Sequence, residues 1–185
     1  HEGIAMVRAA AARPDCVVQF GTQQRSSRQF HEAVMLVRNG RIGRVREIEV
    51  GLPVDPAGGN PAAMPVPPNL NYDMWMGWTE ERPYTEDRVH PQNGFSRPGW
   101  LRCEEYCCGM ITGWGVHHVD IAHWGMDTER TGPVEVWAEA EFPKSGLWTV
   151  HGPYRCELKY SNGVIMRISD NYDNTEEKDY WKTYG

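Results

Sequence analysis

Between Gly113 and Trp124 the chain reads Gly-Trp-Gly-Val-His-His-Val-Asp-Ile-Ala-His-Trp. Three histidines and one aspartate fall in this short run. Imidazole is the side chain best suited to proton transfer near neutral pH, so the run is a candidate for general acid–base work. At helical spacing His117 shares a face with Asp120, Ile121 and Trp124, at i+3, i+4 and i+7. His118 lies about 100° around the axis. The ordinary alternative has one histidine packed on a sheet with its nitrogens hydrogen-bonded and the others solvated. Two adjacent histidines behind a Gly-x-Gly keep the site reading level with it. Gly113 and Gly115 remove side chains where another group would approach the helix start.

Other chemistries fit less well. A zinc site is not expected: His-Glu-x-x-His is absent, and Cys103-x-x-x-Cys107-Cys108 has no second cysteine pair. No Gly-x-Ser-x-Gly elbow occurs. Cys107 or Cys108 would be a nucleophile only in an electropositive setting, and adjacent thiols among apolar residues are more often inert. No Gly-x-Gly-x-x-Gly occurs, so a dinucleotide fingerprint would have to precede His1.

Composition narrows the classes further. The chain has 185 residues, a net charge of −6 and eight tryptophans. That length supports one good core and a fraction of a second. An acidic chain lacks the basic footprint of a nucleic-acid binder. No apolar run approaches the roughly 20 residues of a membrane span. Neither nucleic acid nor a membrane is an expected partner. Five cysteines, an odd number, do not suggest a disulfide framework.

The elements that must position the histidines follow from periodicity. Residues 1–12 have helical spacing, broken at Arg13-Pro14-Asp15. Cys16 to Phe20 is a short apolar run of the kind expected of a buried parallel strand. Ser26 and Ser27 are N-cap candidates for a helix carrying Phe30, Val34 and Val37, ended by Asn39-Gly40. Arg44 to Leu52 alternates as a strand. Residues 53–70, rich in Pro, Gly and Ala, read as an exposed loop. A polar, aromatic connection to Trp100 follows, with Trp75 and Trp78 as sugar platforms or loop anchors. Residues 104–124 carry the histidine helix. Val134 to Phe142 alternates as a strand with one wet face. Tyr154 to Tyr160, Ser161-Asn162-Gly163, and Val164 to Ser169 make a hairpin. The expected fold is α+β: an open, mostly antiparallel sheet backed by helices, preceded by the last helix and strand of a Rossmann-type parallel α/β domain. The abrupt start reads as a segment of a longer protein. Residues 1–24 would be the tail of a dinucleotide-binding domain and 25–185 a substrate and oligomerisation domain, incomplete at its C-terminus.

Several of these motifs, in this order, resemble the Gfo/Idh/MocA oxidoreductases, relatives of glucose–fructose oxidoreductase and inositol dehydrogenase. They are the first helix, the Cys16–Phe20 run, Gly21-Thr-Gln-Gln-Arg25, the Ser-capped helix, Asn39-Gly40-x-Ile-Gly43 and the Val-Arg-Glu-Ile run. Tyr72-Asp-Met-Trp-Met-Gly, Glu81-Arg-Pro-Tyr84 and Gly113 to Trp124 resemble a bacterial subgroup. The resemblance implies an upstream Rossmann domain holding NAD or NADP, with its fingerprint and a Glu-Lys-Pro lysine before His1. It places His117 at the family's catalytic histidine and Asp120 as the aspartate of the His-x-x-Asp run. Many relatives carry an aspartate where this chain has Gly113, so the proton relay would run through His117 with His118 or Tyr106.

On that resemblance the chain is a segment of an NAD(P)-dependent oxidoreductase acting on a sugar, glycoside or cyclitol hydroxyl. His117 would be the base. Arg25, Asn93, Arg97, Tyr106, Trp114 and His118 would contact substrate, and Gln23 cofactor; Trp100 would help close the pocket. No metal is expected. A carbohydrate is the small-molecule partner, and the sheet would carry a homo-oligomer contact. Two alternatives stay open: an NAD-dependent glycosidase working by oxidation and elimination, and a non-catalytic oligomerisation domain. The compartment is left open.

Overall fold

The computed structural model of the chain describes residues 1–90 and 98–170. Four strands form one sheet: β1 (Glu47–Gly51), β2 (Glu135–Ala140), β3 (Tyr154–Lys159) and β4 (Ile165–Ser169), in the order β1-β4-β3-β2. β1 pairs parallel to β4, while β2–β3 and β3–β4 are antiparallel. The mostly antiparallel α+β sheet expected from the sequence is therefore present.

The β3–β4 hairpin turns at residues 160–163. Gly163 takes φ +85°, the left-handed region in which a Cβ is penalised, and its N–H donates to Tyr160 O at 2.9 Å. Along β4 burial alternates, with Met166 and Ile168 inward and Ile165, Arg167 and Ser169 less buried. That is the period-2 signature of a sheet with one covered face. The outward face carries ion pairs, Arg167 with Glu47 and Glu157, and Lys159 with Glu135.

Two helices cover the inner face. α2 (Arg28–Arg38) and α5 (Gly115–Met126) pack together, and α5 lies against β1. The core joins Val50, Leu52, Tyr154, Tyr160, Met166 and Ile168 to Ile111, Val119, Ala122 and Met126 from the helical layer. Leu52 and Met166 are 0% exposed. Full burial of such a side chain contributes about 1.5–3 kcal/mol each.

Three expectations are corrected. Cys16–Phe20 is not a strand: it is irregular and exposed, with Val17 at 96%. An apolar run becomes a strand only when a neighbour completes its hydrogen-bond ladder, and no described strand lies beside it. The helix before it, α1 (Glu2–Ala11), has no buried residue. β2 does not have one wet face; every residue in it is exposed. Alternation distinguishes two chemistries on a strand, but the α2/α5 layer stops short of this edge. Residues 53–70 are not wholly exposed either, since Asp55 is 3% exposed.

The long connection builds a second, aromatic core. Short helix α3 (Tyr72–Met76) is capped by Asn71, whose side chain accepts the Met74 N–H at 3.1 Å. Tyr72, Tyr84 and Val89 are buried there, with Leu70, Trp75 and Met76 packed on them.

Candidate active site

The histidine segment is two helices. α4 (Met110–Gly113) runs to Trp114, and α5 begins at Gly115. Asp55 anchors the start of α4, its Oδ2 accepting the Met110 N–H at 2.6 Å. Gly109 stands between them at φ +73°, and a Cβ there would lie 2.5 Å from Asp55 Oδ2. Only glycine suits that position. Gly115 is buried, with its missing Cβ aimed at Leu52 Cδ1, 3.4 Å away. These contacts place the N-terminus of α5 against the end of β1.

The three histidines of the run are treated differently. His123 is structural. Its Nδ1 lies 3.2 Å from Thr128 O, which can only accept, so Nδ1 carries the proton. Nε2 then accepts from the Tyr160 hydroxyl at 2.8 Å. Burial pushes the Tyr160 phenol pKa up, which keeps it a donor. This is the sheet-packed histidine the sequence allowed for.

His117 and His118 are half-buried and flank the half-exposed indole of Trp114, with ring centroids 5.9 Å and 5.7 Å from it. The His118 pKa is pushed down, first by burial and then by the neighbouring His117 charge, with a hydrogen bond at the Gly51 backbone opposing. His118 is thereby held toward the neutral imidazole at neutral pH. Among the described residues the His117 ring nitrogens have no hydrogen-bond partner.

Asp120 faces Arg25. Arg25 Nε and Nη2 donate to the two Asp120 carboxylate oxygens, each at 2.7 Å. The guanidinium holds the Asp120 carboxyl below its ordinary range. Arg25 Nη1 lies 3.5 Å from Glu129 Oε1, and the guanidinium sits over the Trp124 ring at 5.3 Å. Arg25 is thus occupied by protein carboxylates, although it does reach the histidine helix. Gln23 opens the 3₁₀ turn Gln23–Ser26 that carries Arg25 and is exposed.

Tyr106 belongs to the second core. Its ring lies 5.0 Å from Trp75, and its hydroxyl accepts from Thr79 Oγ1 at 3.4 Å. Trp75 also stacks on Tyr72, at 5.6 Å, so it anchors the loop, while Trp78 projects at 89% exposure. Trp100 lies part-buried in the 3₁₀ turn Gly99–Arg102. Asn93 and Arg97 fall outside the described residues. The histidine helix therefore gathers His117, His118 and Trp114, with Arg25 behind it, and Tyr106 packs elsewhere.

A polar cluster beneath the site was not foreseen. His151 Nε2 is 3.9 Å from Asp55 Oδ2, and the His151 and Tyr154 rings are 4.6 Å apart. The available signal was Asp55 itself, the one charged residue in the stretch 53–70. A lone charge in an uncharged loop has a reason to be there. Among the described residues no group of three or more His, Cys, Asp or Glu side chains gathers as a metal-ligand set, and no helix is long and apolar enough to cross a membrane. Three cavities of about 410, 670 and 460 Å³ open elsewhere, and neither His117 nor His118 lines them.

A solved structure shares the fold. The solved structure of GenD2 from gentamicin A biosynthesis, in complex with NAD, superposes with a TM-score of 0.54 at 17% sequence identity. The match covers 87% of this chain and 35% of that one, so the chain spans about a third of that protein's length. At this identity the likeness speaks for the fold. No curated protein matches the chain. Residues 58–183 match the family described as "Oxidoreductase family, C-terminal alpha/beta domain", that of the Gfo/Idh/MocA proteins. With well over half its length matched, and the histidine helix seated on the sheet, this chain belongs to the Gfo/Idh/MocA oxidoreductase family through its C-terminal α/β domain.

Proposed function

We propose that the chain is the substrate-facing part of an NAD(P)-dependent oxidoreductase acting on a hydroxyl of a sugar, glycoside or cyclitol, with His117 as general base. The observation that carries this is the contrast in partners around α5. Asp120, His123 and Trp124 are engaged within the fold, whereas His117 is half-buried with no hydrogen-bond partner for its ring among the described residues. A base must have a nitrogen available for the substrate proton, within hydrogen-bond reach.

NAD or NADP, when bound, supplies the hydride acceptor. The residues of this chain fit one end of that group only: they include no glycine-rich phosphate cradle. The exposed Gln23 opens the 3₁₀ turn that follows the 16–20 run and would meet the nicotinamide end. The dinucleotide cradle itself belongs, on this proposal, to residues upstream of His1, and residues 1–24 to that domain's tail. Here His117 accepts the hydroxyl proton as the carbon is oxidised. His118, held neutral, donates or accepts a hydrogen bond from the adjoining hydroxyl. The Trp114 indole offers an apolar face to the C–H side of the ring.

The exposed β2 edge supports the partner proposal. Val134, Val136, Trp137 and Phe142 lie open on or beside that strand. Such an edge needs cover, and a second copy through the sheet supplies it.

The test is turnover of the complete protein with a panel of sugars and cyclitols. Accumulation of NADH or NADPH that disappears in H117A supports the proposal. Full turnover in H117A removes His117 from the chemistry. Release of an aglycone without net reduced cofactor would favour the oxidation–elimination glycosidase instead.

A further inference from the structure

The geometry points to Arg25 as a positioning residue: its ion pair with Asp120 is the strut that fixes where His117 stands relative to the turn carrying Gln23. The inference rests on the proposed function, since it assigns a task only if His117 and Gln23 face the same reaction.

Arg25 and Asp120 are 95 residues apart in sequence and meet through two parallel hydrogen bonds of 2.7 Å. A guanidinium fork on a carboxylate defines orientation as well as distance. One contact would let α5 rotate; two coplanar contacts resist rotation about the helix axis and sliding along it. Asp120 is three residues after His117, on the same helix face, so the position of one sets that of the other. A rotation of α5 by one residue, about 100°, would break both bonds and replace His117 by a neighbour.

The pair is not an isolated surface contact. Its side chains are 29% and 28% exposed. Glu129 lies 3.5 Å from Arg25 Nη1 and 3.7 Å from Arg38 Nη1, and Arg38 also pairs with Asp127. The chain Asp120–Arg25–Glu129–Arg38–Asp127 therefore stitches the 3₁₀ turn, α2, α5 and the start of the α5–β2 connection. Trp124 lies under the Arg25 guanidinium on the same face of α5. A network of this kind holds geometry better than a lone exposed pair, which is worth little. Transfer between a base, a hydroxyl and a hydride acceptor depends on such geometry, and misplacement of about 1 Å costs on the order of 100-fold.

The rival assignment makes Arg25 a substrate contact. A double-mutant cycle in the complete protein separates the two. R25Q and D120N should each lower kcat by about 10- to 100-fold with KM changed less than about 2-fold, and the double variant should be no worse than the poorer single. R25K keeps the charge without the fork and should fall between wild type and R25Q. Losses that multiply in the double variant, or a rise in KM confined to the Arg25 variants, overturn the strut. The ring signals of His117, followed by NMR in protein carrying labelled histidine, give a readout free of turnover. They should move in R25Q, D120N and the double variant alike. If H117A retains full turnover, the catalytic proposal falls. The strut is then judged on those signals alone, and unchanged signals in R25Q and D120N overturn it.

Discussion

Two ends of one helix differ in what they hold. At its start α5 presents His117 and His118 around an indole, with the His117 ring nitrogens unengaged among the described residues. One turn and more further on, Asp120 is locked to Arg25, Trp124 lies under the same guanidinium and against His31, and His123 is bound at both nitrogens. The same residue type thus serves opposite ends. An imidazole with both nitrogens satisfied by the fold is part of the scaffold, and one with none satisfied is available for chemistry. The lesson is that a histidine's role is read from its partners rather than from its neighbours in sequence.

The largest expected effect tests the open end. H117A should lower turnover of the complete enzyme by about 100-fold or more, as loss of a general base does, while its urea midpoint stays close to wild type. A large loss of stability without a loss of turnover per folded molecule would invert the comparison.

The closed end should respond the other way. Y160F removes the hydroxyl that donates to His123 Nε2. It leaves a part-buried acceptor unsatisfied and should cost about 1–3 kcal/mol in urea unfolding, with turnover per folded molecule unchanged. A turnover loss like that of H117A would mean His123 belongs to the site.

A smaller effect is expected at acid pH. The folded Asp120 pKa lies below the ordinary carboxylate value of 3.8 because of Arg25. Its contribution is therefore present above that value and is lost as pH falls through the lower, folded value. D120N should be less stable than wild type near neutrality, with the difference closing in strong acid. A constant difference at every pH would show that the ion pair contributes nothing.

The smallest effect concerns His118. Its folded pKa lies below the ordinary histidine value of 6.5, chiefly through burial. The unfolded chain then binds more protons as pH drops below 6.5, so stability declines there and levels off under the folded value. H118N should flatten that slope. A slope unaltered by H118N would place the titrating group elsewhere.

Much of the architecture was legible because its signals are local. Met166 and Ile168 alternate with polar neighbours, Asn162-Gly163 closes the hairpin, and Val34 and Val37 mark the buried side of α2. The backing of the sheet by helices held, and what failed were the statements about cover at its margins. Cys16–Phe20 has the composition of a buried strand and no neighbouring strand among the described residues. The alternation of β2 correctly marks a strand and says nothing of whether a helix lies over it. The partner of Asp55 was unreadable for a related reason: its carboxylate holds the N–H of Met110, 55 positions away. Arg25 was visible as a conspicuous cation after the Cys16–Phe20 run. Its partner at position 120 was not.

The residue run Gly113 to Trp124 determined by itself that a helix would carry three imidazoles, an aspartate and the Trp124 indole, because helical spacing is a property of the local chain. Its motifs, with those around Asn39-Gly40 and Tyr72, also sufficed for the family. The tertiary structure alone decided which imidazole is spent on the scaffold and which is left open. Tyr160 and Arg25 reach α5 from far along the chain, and a side chain's protonation and freedom are set by the groups that surround it in space.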